Sequence, residues 1–196
     1  MLLTMRIIAG LFRSRSLEAP PGLATRPTSD RLRETLFNIL APRVEGASWL
    51  DLYAGSGAIG IEALSRGAAH VTFVERAPSA LKVLRGNLAR LGVTSGFSIS
   101  PGSVGAYLKR SQKPARAFDV VFLDPPYDAA EEYAAVLGLL GGAVAGLLAP
   151  GALVIAEHRS KESLEEQYGN LARTRLLKQG DAALSFYAVK AADTSS

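Results

Sequence analysis

The chain has 196 residues, 48% hydrophobic and 20% charged, which is the composition of one soluble domain with a full core. It contains no cysteine and only two histidines, His70 and His158, far apart in sequence. Disulfides, thiolate metal sites and thiol nucleophiles are excluded, including the thiolate attack that methylation at a pyrimidine carbon-5 needs, and no metal is expected.

The formal net charge of +4 sits at one end. Residues 1–43 hold seven arginines against Glu18, Asp30 and Glu34, while the rest of the chain carries 15 basic and 15 acidic residues. Arginine grips phosphate bidentately, so Arg6, Arg13, Arg15, Arg26, Arg31 and Arg33 are candidate contacts to an RNA backbone. A solvated basic face is the simpler alternative. Met1 to Met5 is too short for a signal peptide. The longest uncharged stretch, residues 134–150, falls short of the roughly 20 residues of a membrane span and is broken by Gly138, Gly141, Gly142 and Gly146. A cytoplasmic chain with no membrane partner is expected.

In chain order, residues 5–20 read as a basic arm folded into a β-hairpin, ended by Pro20-Pro21-Gly22. A helix follows, with Leu32, Leu36, Ile39 and Leu40 on one face and Thr28, Ser29 or Asp30 to cap it. Arg31 and Arg33 are expected largely off that apolar face. From Ser48 the pattern alternates strand and helix, as in an α/β protein with a mostly parallel sheet. Strands are expected near 48–53, 70–75, 97–100, 118–123 and 151–156, with helices near 58–66, 77–92, 103–111 and 130–147, the last interrupted near Gly141-Gly142. Two further strands, near 171–178 and 183–190, are joined so tightly by Gln179-Gly180-Asp181 that they must be antiparallel. The chain divides into an arm and helix over 1–43, a main domain over 44–190 and a frayed tail over 191–196.

Two strand ends carry chemistry. The first is Trp49-Leu50-Asp51-Leu52-Tyr53-Ala54-Gly55-Ser56-Gly57, a strand, a glycine turn and a helix start. Glycines let a ligand approach the backbone, and the helix amino terminus offers free N–H groups. Gly55, Gly57 and Gly60 also satisfy a dinucleotide fingerprint, with Glu75 placed 20 residues after Gly55. Tight strand–helix packing is the plain alternative. Asp51, inside the strand end, favours S-adenosylmethionine, whose amino group it could hold, and Glu75 is placed to accept both ribose hydroxyls.

The second is Phe118-Asp119-Val120-Val121-Phe122-Leu123-Asp124-Pro125-Pro126-Tyr127. Two prolines remove two backbone donors and end strand pairing, so a stiff elbow presents one carboxylate, two carbonyls and one ring. Asp124 and the Pro125 carbonyl could accept both N–H groups of a flat, weakly nucleophilic amine, with Tyr127 stacked on its base. A strand-ending turn with a surface Tyr is the alternative. The tetrapeptide Asp124, Pro125, Pro126, Tyr127 resembles the signature of amino-directed, S-adenosylmethionine-dependent methyltransferases.

From Met5 to about Lys190 the chain resembles the small-subunit ribosomal RNA guanine-N2 methyltransferases of the RsmD type. The resemblance rests on Met5-Arg6-Ile7-Ile8-Ala9-Gly10, on residues 26–38, on Asp51 through Gly57, on Glu62-Ala63-Leu64-Ser65-Arg66-Gly67-Ala68, on Phe73-Val74-Glu75, on Asp124-Pro125-Pro126-Tyr127, and on residues 180–187. It implies a class I, Rossmann-like methyltransferase fold of seven strands, mostly parallel, with an antiparallel last strand. It also implies a cofactor site of Asp51, Tyr53, Gly55, Ser56, Gly57, Glu75, Arg76, Ser103, Val104 and Asp124. Ser103 departs from the family's usual Asp or Asn beside the adenine. The implied partners are ribosomal RNA in a partly assembled small subunit, and ribosomal proteins, met by a monomer. Adenine N6, a protein glutamine amide, and a non-catalytic RNA-binding assembly factor are the alternatives.

Overall fold

The computed structural model describes residues 5–20, 27–111, 116–126 and 130–190. Arg26, Tyr127 and the tail 191–196 lie outside the described residues.

Among the described residues, eight strands form the central sheet: β3 (Ser48–Leu52), β4 (His70–Glu75), β5 (Phe97–Pro101), β6 (Phe118–Leu123), β7 (Leu148–Arg159), β8 (Gln167–Tyr168), β9 (Leu171–Gln179) and β10 (Ala182–Val189). Their order is β5-β4-β3-β6-β7-β10-β9-β8. The first five are parallel, because helices α2 (Ala58–Ser65), α3 (Pro78–Arg90), α4 (Val104–Arg110) and α5 (Ala130–Leu140) make the return crossings. β10 runs antiparallel to both β7 and β9. The strand direction reverses its lateral progress between β3 and β6, the switch point at which open α/β sheets bind ligands.

The strand count corrects the expected seven. The additional β8 is two residues long and pairs only with Ala172 and Leu171. Two residues carry no alternation, so tertiary pairing alone creates it. β7 also runs three residues past its expected end, because β10 continues to pair with it as far as Arg159. The interruption at Gly141-Gly142 is as expected: α5 stops at Leu140 and a single 3-10 turn, Ala145–Leu147, follows.

Apolar layers cover both sheet faces. On one, Leu36, Phe37 and Leu40 of helix α1 (Pro27–Val44) pack with Trp49, Phe73 and Phe122. On the other, Tyr107 and Leu137 pack over Leu50, Val74 and Val121. The arm joins the first layer. Its strands β1 (Met5–Arg6) and β2 (Ser16–Leu17) form the expected hairpin, with Ile7 and Leu17 buried.

A polar clamp holds that hairpin. Glu62 of α2 is fully buried, and its oxygens accept the Ile8 N–H at 2.8 Å, the Ala9 N–H at 3.0 Å and the Arg66 Nε–H at 2.7 Å. Ser65 accepts the Phe12 N–H at 2.9 Å through Oγ and donates to the Ala9 carbonyl. Gly10 lies so close that a Cβ would sit 1.8 Å from the Ser65 carbonyl oxygen, and its φ is +83°. No other residue fits there. Removing the carboxylate strands three donors, one of them the half-buried Arg66 cation, so Glu62→Ala is expected to cost about 3–5 kcal/mol in urea unfolding. A loss below about 1 kcal/mol would show that water replaces the clamp.

Candidate active site

Five parallel strands end at one edge, and their register lines up the side chains there. Asp51 pairs with Phe73 on β4 and Phe122 on β6, so Asp51, Glu75 and Asp124 project from neighbouring strands on one face. Asp51 is 2% exposed and its Oδ2 accepts the Gly60 N–H at 3.0 Å. That bond ties the strand to the first turn of α2. Gly60 is a packing residue: a Cβ there would lie 2.3 Å from the Phe73 ring.

The glycine turn follows. Tyr53 and Gly55 have φ of 63° and 56°, both left-handed. A Cβ at Gly55 would meet only the Tyr53 carbonyl, at 3.9 Å, so the turn is open on that side. Ser56 is buried and its carbonyl accepts from Asn87, while Gly57 sits at φ +80° as the helix cap. The Tyr53 hydroxyl donates to Glu132 at 2.5 Å, joining the turn to α5.

Glu75 is already engaged. Its Oε2 accepts the Gly55 N–H at 2.8 Å, and its Oε1 accepts the Arg76 and Ala77 N–H groups, each at 2.7 Å. The carboxylate braces the turn against the start of α3. Arg76 is exposed. Ser103 caps α4, its Oγ accepting the Ala106 N–H at 3.3 Å, which leaves its own O–H to donate. Val104 is buried in the core, so only its backbone can reach a ligand.

Asp124 is half-buried at the end of β6, with Pro125 buried and Pro126 exposed. Burial pushes its carboxyl up to about 7. Burial likewise pushes Asp51 up to about 7, opposed by the Gly60 N–H and reinforced by the nearby Asp124 and Glu75. The edge is therefore an acidic surface whose charge is only partly developed at neutral pH.

One residue of this edge was not among those singled out. Glu157 follows Ala156 on β7, directly beside Asp124. Its signal was present: Ala152-Leu153-Val154-Ile155-Ala156 ends in a carboxylate as Val120-Val121-Phe122-Leu123 does.

The arginines divide. Arg6, Arg13, Arg15 and Arg31 are exposed. Arg15 donates to the Arg90 carbonyl at 3.0 Å, and Leu11 N–H to the Ser65 carbonyl at 2.7 Å. The hairpin tip thus sits at the carboxyl ends of α2 and α3, across the sheet from the acidic edge. Arg33 is a correction. It is 4% exposed, with its guanidinium donating to the Arg6 carbonyl and to Asp30 at 3.2 Å. It cannot grip an RNA phosphate, because α1 turns it inward between the hairpin and the strand ends.

Buried carboxyls above their ordinary range cost stability. The folded Asp51 pKa of about 7 exceeds the unfolded value, so stability is lost as pH rises between them. Asp51→Asn keeps an oxygen for the Gly60 N–H and removes the charge. Its stabilising effect on the ligand-free protein should be larger at pH 8 than at pH 5, by about 1–3 kcal/mol in urea unfolding. An effect independent of pH would mean that water solvates Asp51.

Comparisons with known proteins converge on one family. Residues 5–188 match the family model described as Conserved hypothetical protein 95. YlbH of Bacillus subtilis is 37% identical over 183 residues, covering 93% of this chain and 98% of that one. Ribosomal RNA small subunit methyltransferase D of Haemophilus influenzae is 46% identical over 125 residues, 63% of this chain and 64% of that protein. The solved structure of yhhF from Escherichia coli is similar with a TM-score of 0.81 at 34% identity, covering 95% of this chain and 98% of that one. The sheet order and these neighbours define the fold as that of the class I S-adenosylmethionine-dependent methyltransferases. Matched over nearly its whole length, the chain belongs to the family described as Conserved hypothetical protein 95, the RsmD-type methyltransferase family.

Proposed function

We propose that this chain transfers a methyl group from S-adenosylmethionine to the exocyclic N2 amine of one guanine in small-subunit ribosomal RNA. The observation that carries the reading is Asp124, a half-buried carboxyl at a strand end, followed by two prolines and set beside the acidic edge. The name of the Haemophilus influenzae relative, a small-subunit ribosomal RNA methyltransferase, supports the substrate class. The substrate is a partly assembled small subunit, met by a monomer that also touches ribosomal proteins.

The residues present fit the cofactor. Asp51 has carboxylates, Asp124 and Glu75, as its charged neighbours, so a bound cation would favour its ionised form. Gly55 opens the backbone to close approach, and Glu75 keeps lone pairs for a ribose diol. Tyr53, Ser56, Gly57, Arg76, Ser103 and Val104 complete the cradle. When bound, S-adenosylmethionine would supply a methyl group activated by its positively charged sulfur.

The protein's part is orientation. Asp124 and the Pro125 carbonyl accept the two amine N–H groups and turn the nitrogen lone pair toward the methyl group. The amine becomes acidic only as the new bond forms. A carboxyl with a pKa of about 7 is then a suitable acceptor for the departing proton. Tyr127 provides a platform for a base turned out of its helix. Arg6, Arg13, Arg15, Arg26 and Arg31 hold RNA phosphates, Arg13 and Arg15 at a distance from the reacting atoms.

Methyl transfer from labelled cofactor to assembled small-subunit particles, with mass mapping of the product nucleoside, tests the reading. Asp124→Ala should lower the single-turnover rate on the order of a hundredfold with little change in cofactor affinity, and Asp124→Asn less. Wild-type turnover by Asp124→Ala would end the assignment, and absence of any transfer would favour a non-catalytic assembly factor. Replacing Arg6 and Arg13 by alanine should flatten the salt dependence of RNA binding by about one unit of log–log slope per lost phosphate contact. An unchanged slope would leave the arm a solvated face.

A further inference from the structure

The edge holds one carboxylate more than the methyl transfer needs. Leu123 pairs with Ala156 in parallel register, so Asp124 and Glu157 are the next residues on adjacent strands. Phe122 and Ile155, two residues earlier, lie in one core cluster, so both carboxylates project from that same face. Glu157 is half-buried, and among the described residues its carboxylate accepts no hydrogen bond. Its main chain is pinned, since the Tyr133 hydroxyl donates to the Glu157 carbonyl at 2.7 Å. The buried guanidinium of Arg33, whose Nε has no partner among the described residues, lies near enough to act on Glu157 electrostatically. A carboxylate on a pinned strand beside Asp124, with no hydrogen-bond donor among the described residues, is open to a donor from the substrate.

We infer that Glu157 selects guanine by accepting its ring N1–H, while Asp124 on the adjacent strand accepts an N–H of the neighbouring 2-amine. This rests on the reading of the chain as a guanine-N2 methyltransferase. Guanine presents N1–H and the 2-amine as adjacent donors, which two side-by-side carboxylates match. Adenine presents its amine beside a ring nitrogen lone pair, which an ionised Glu157 repels. Burial and then Asp124 raise the Glu157 carboxyl well above its ordinary range, and Arg33 opposes them. A paired donor from the base therefore favours the ionised form. Arg33, which opposes that rise, also donates to the Arg6 carbonyl of the docked arm.

The test replaces the mapped target guanosine, in a ligated small-subunit RNA, by 2-aminopurine riboside. This base keeps the 2-amine but has a lone pair at N1 and lacks the oxygen at C6. Wild-type enzyme should prefer guanine by roughly tenfold to a hundredfold in single-turnover rate, the size expected for one hydrogen bond to a charged group. Glu157→Gln should bring the two bases within about threefold, because an amide either accepts from N1–H or donates to the N1 lone pair. Glu157→Asp should keep the preference. Binding of S-adenosylhomocysteine should stay within about twofold of wild type in both variants, which also reports folding. A preference that survives in Glu157→Gln belongs to the C6 oxygen and overturns the inference, as does equal use of both bases by the wild type. If the wild type methylates guanine at N2 in either of those cases, the function stands and only the role of Glu157 falls. Failure to methylate guanine at all sinks both.

Discussion

The shared register of five parallel strands is the constraint on which this molecule depends. Parallel pairing fixes not only which strands are neighbours but which residues are level. Because β3, β4 and β6 end together and β7 lies in register beside β6, Asp51, Glu75, Asp124 and Glu157 form one acidic edge although they span more than a hundred positions in sequence. The prolines after Asp124 make that ending abrupt, and the glycine turn after Leu52 makes it open.

Such an edge is expensive. Burial holds Asp51 and Asp124 near 7 and raises Glu157 as well, so the ligand-free protein carries carboxyls that would be more stable in water. The same stress suits the edge to a cationic cofactor such as S-adenosylmethionine. Loss of stability and readiness to bind are two consequences of one arrangement.

The arm is part of that arrangement. Met5–Gly10 and Glu62–Ala68 are stretches through which the family resemblance is recognised, and in space they meet: Glu62 and Ser65 satisfy the hairpin's backbone donors, and Gly10 lies against Ser65. Arg33 then links the Arg6 carbonyl to the interior behind the strand ends. The surface that bears the exposed arginines is thus built on the same core as the acidic edge.

The sequence by itself determined the alternation of strands and helices, the glycine turn, the proline elbow and the antiparallel final pair. Each depends on local signals: apolar runs of strand length, residues that permit positive φ, prolines without N–H groups, and a link too short to cross over. It also determined Asp51, Glu75 and Asp124 as strand-end carboxylates, since each interrupts or ends such a run. The tertiary structure decided what those signals do not encode. A helix face rule placed Arg33 outward, but the docked hairpin supplies the carbonyl that allows a buried guanidinium. β8 exists only because β9 offers it an edge. The adjacency of Glu157 to Asp124 depends on the β6–β7 register, which no spacing along the chain records. Burial, and with it the raised carboxyl pKa values, belongs to the packed molecule because desolvation requires layers from distant parts of the chain to close over the same atoms.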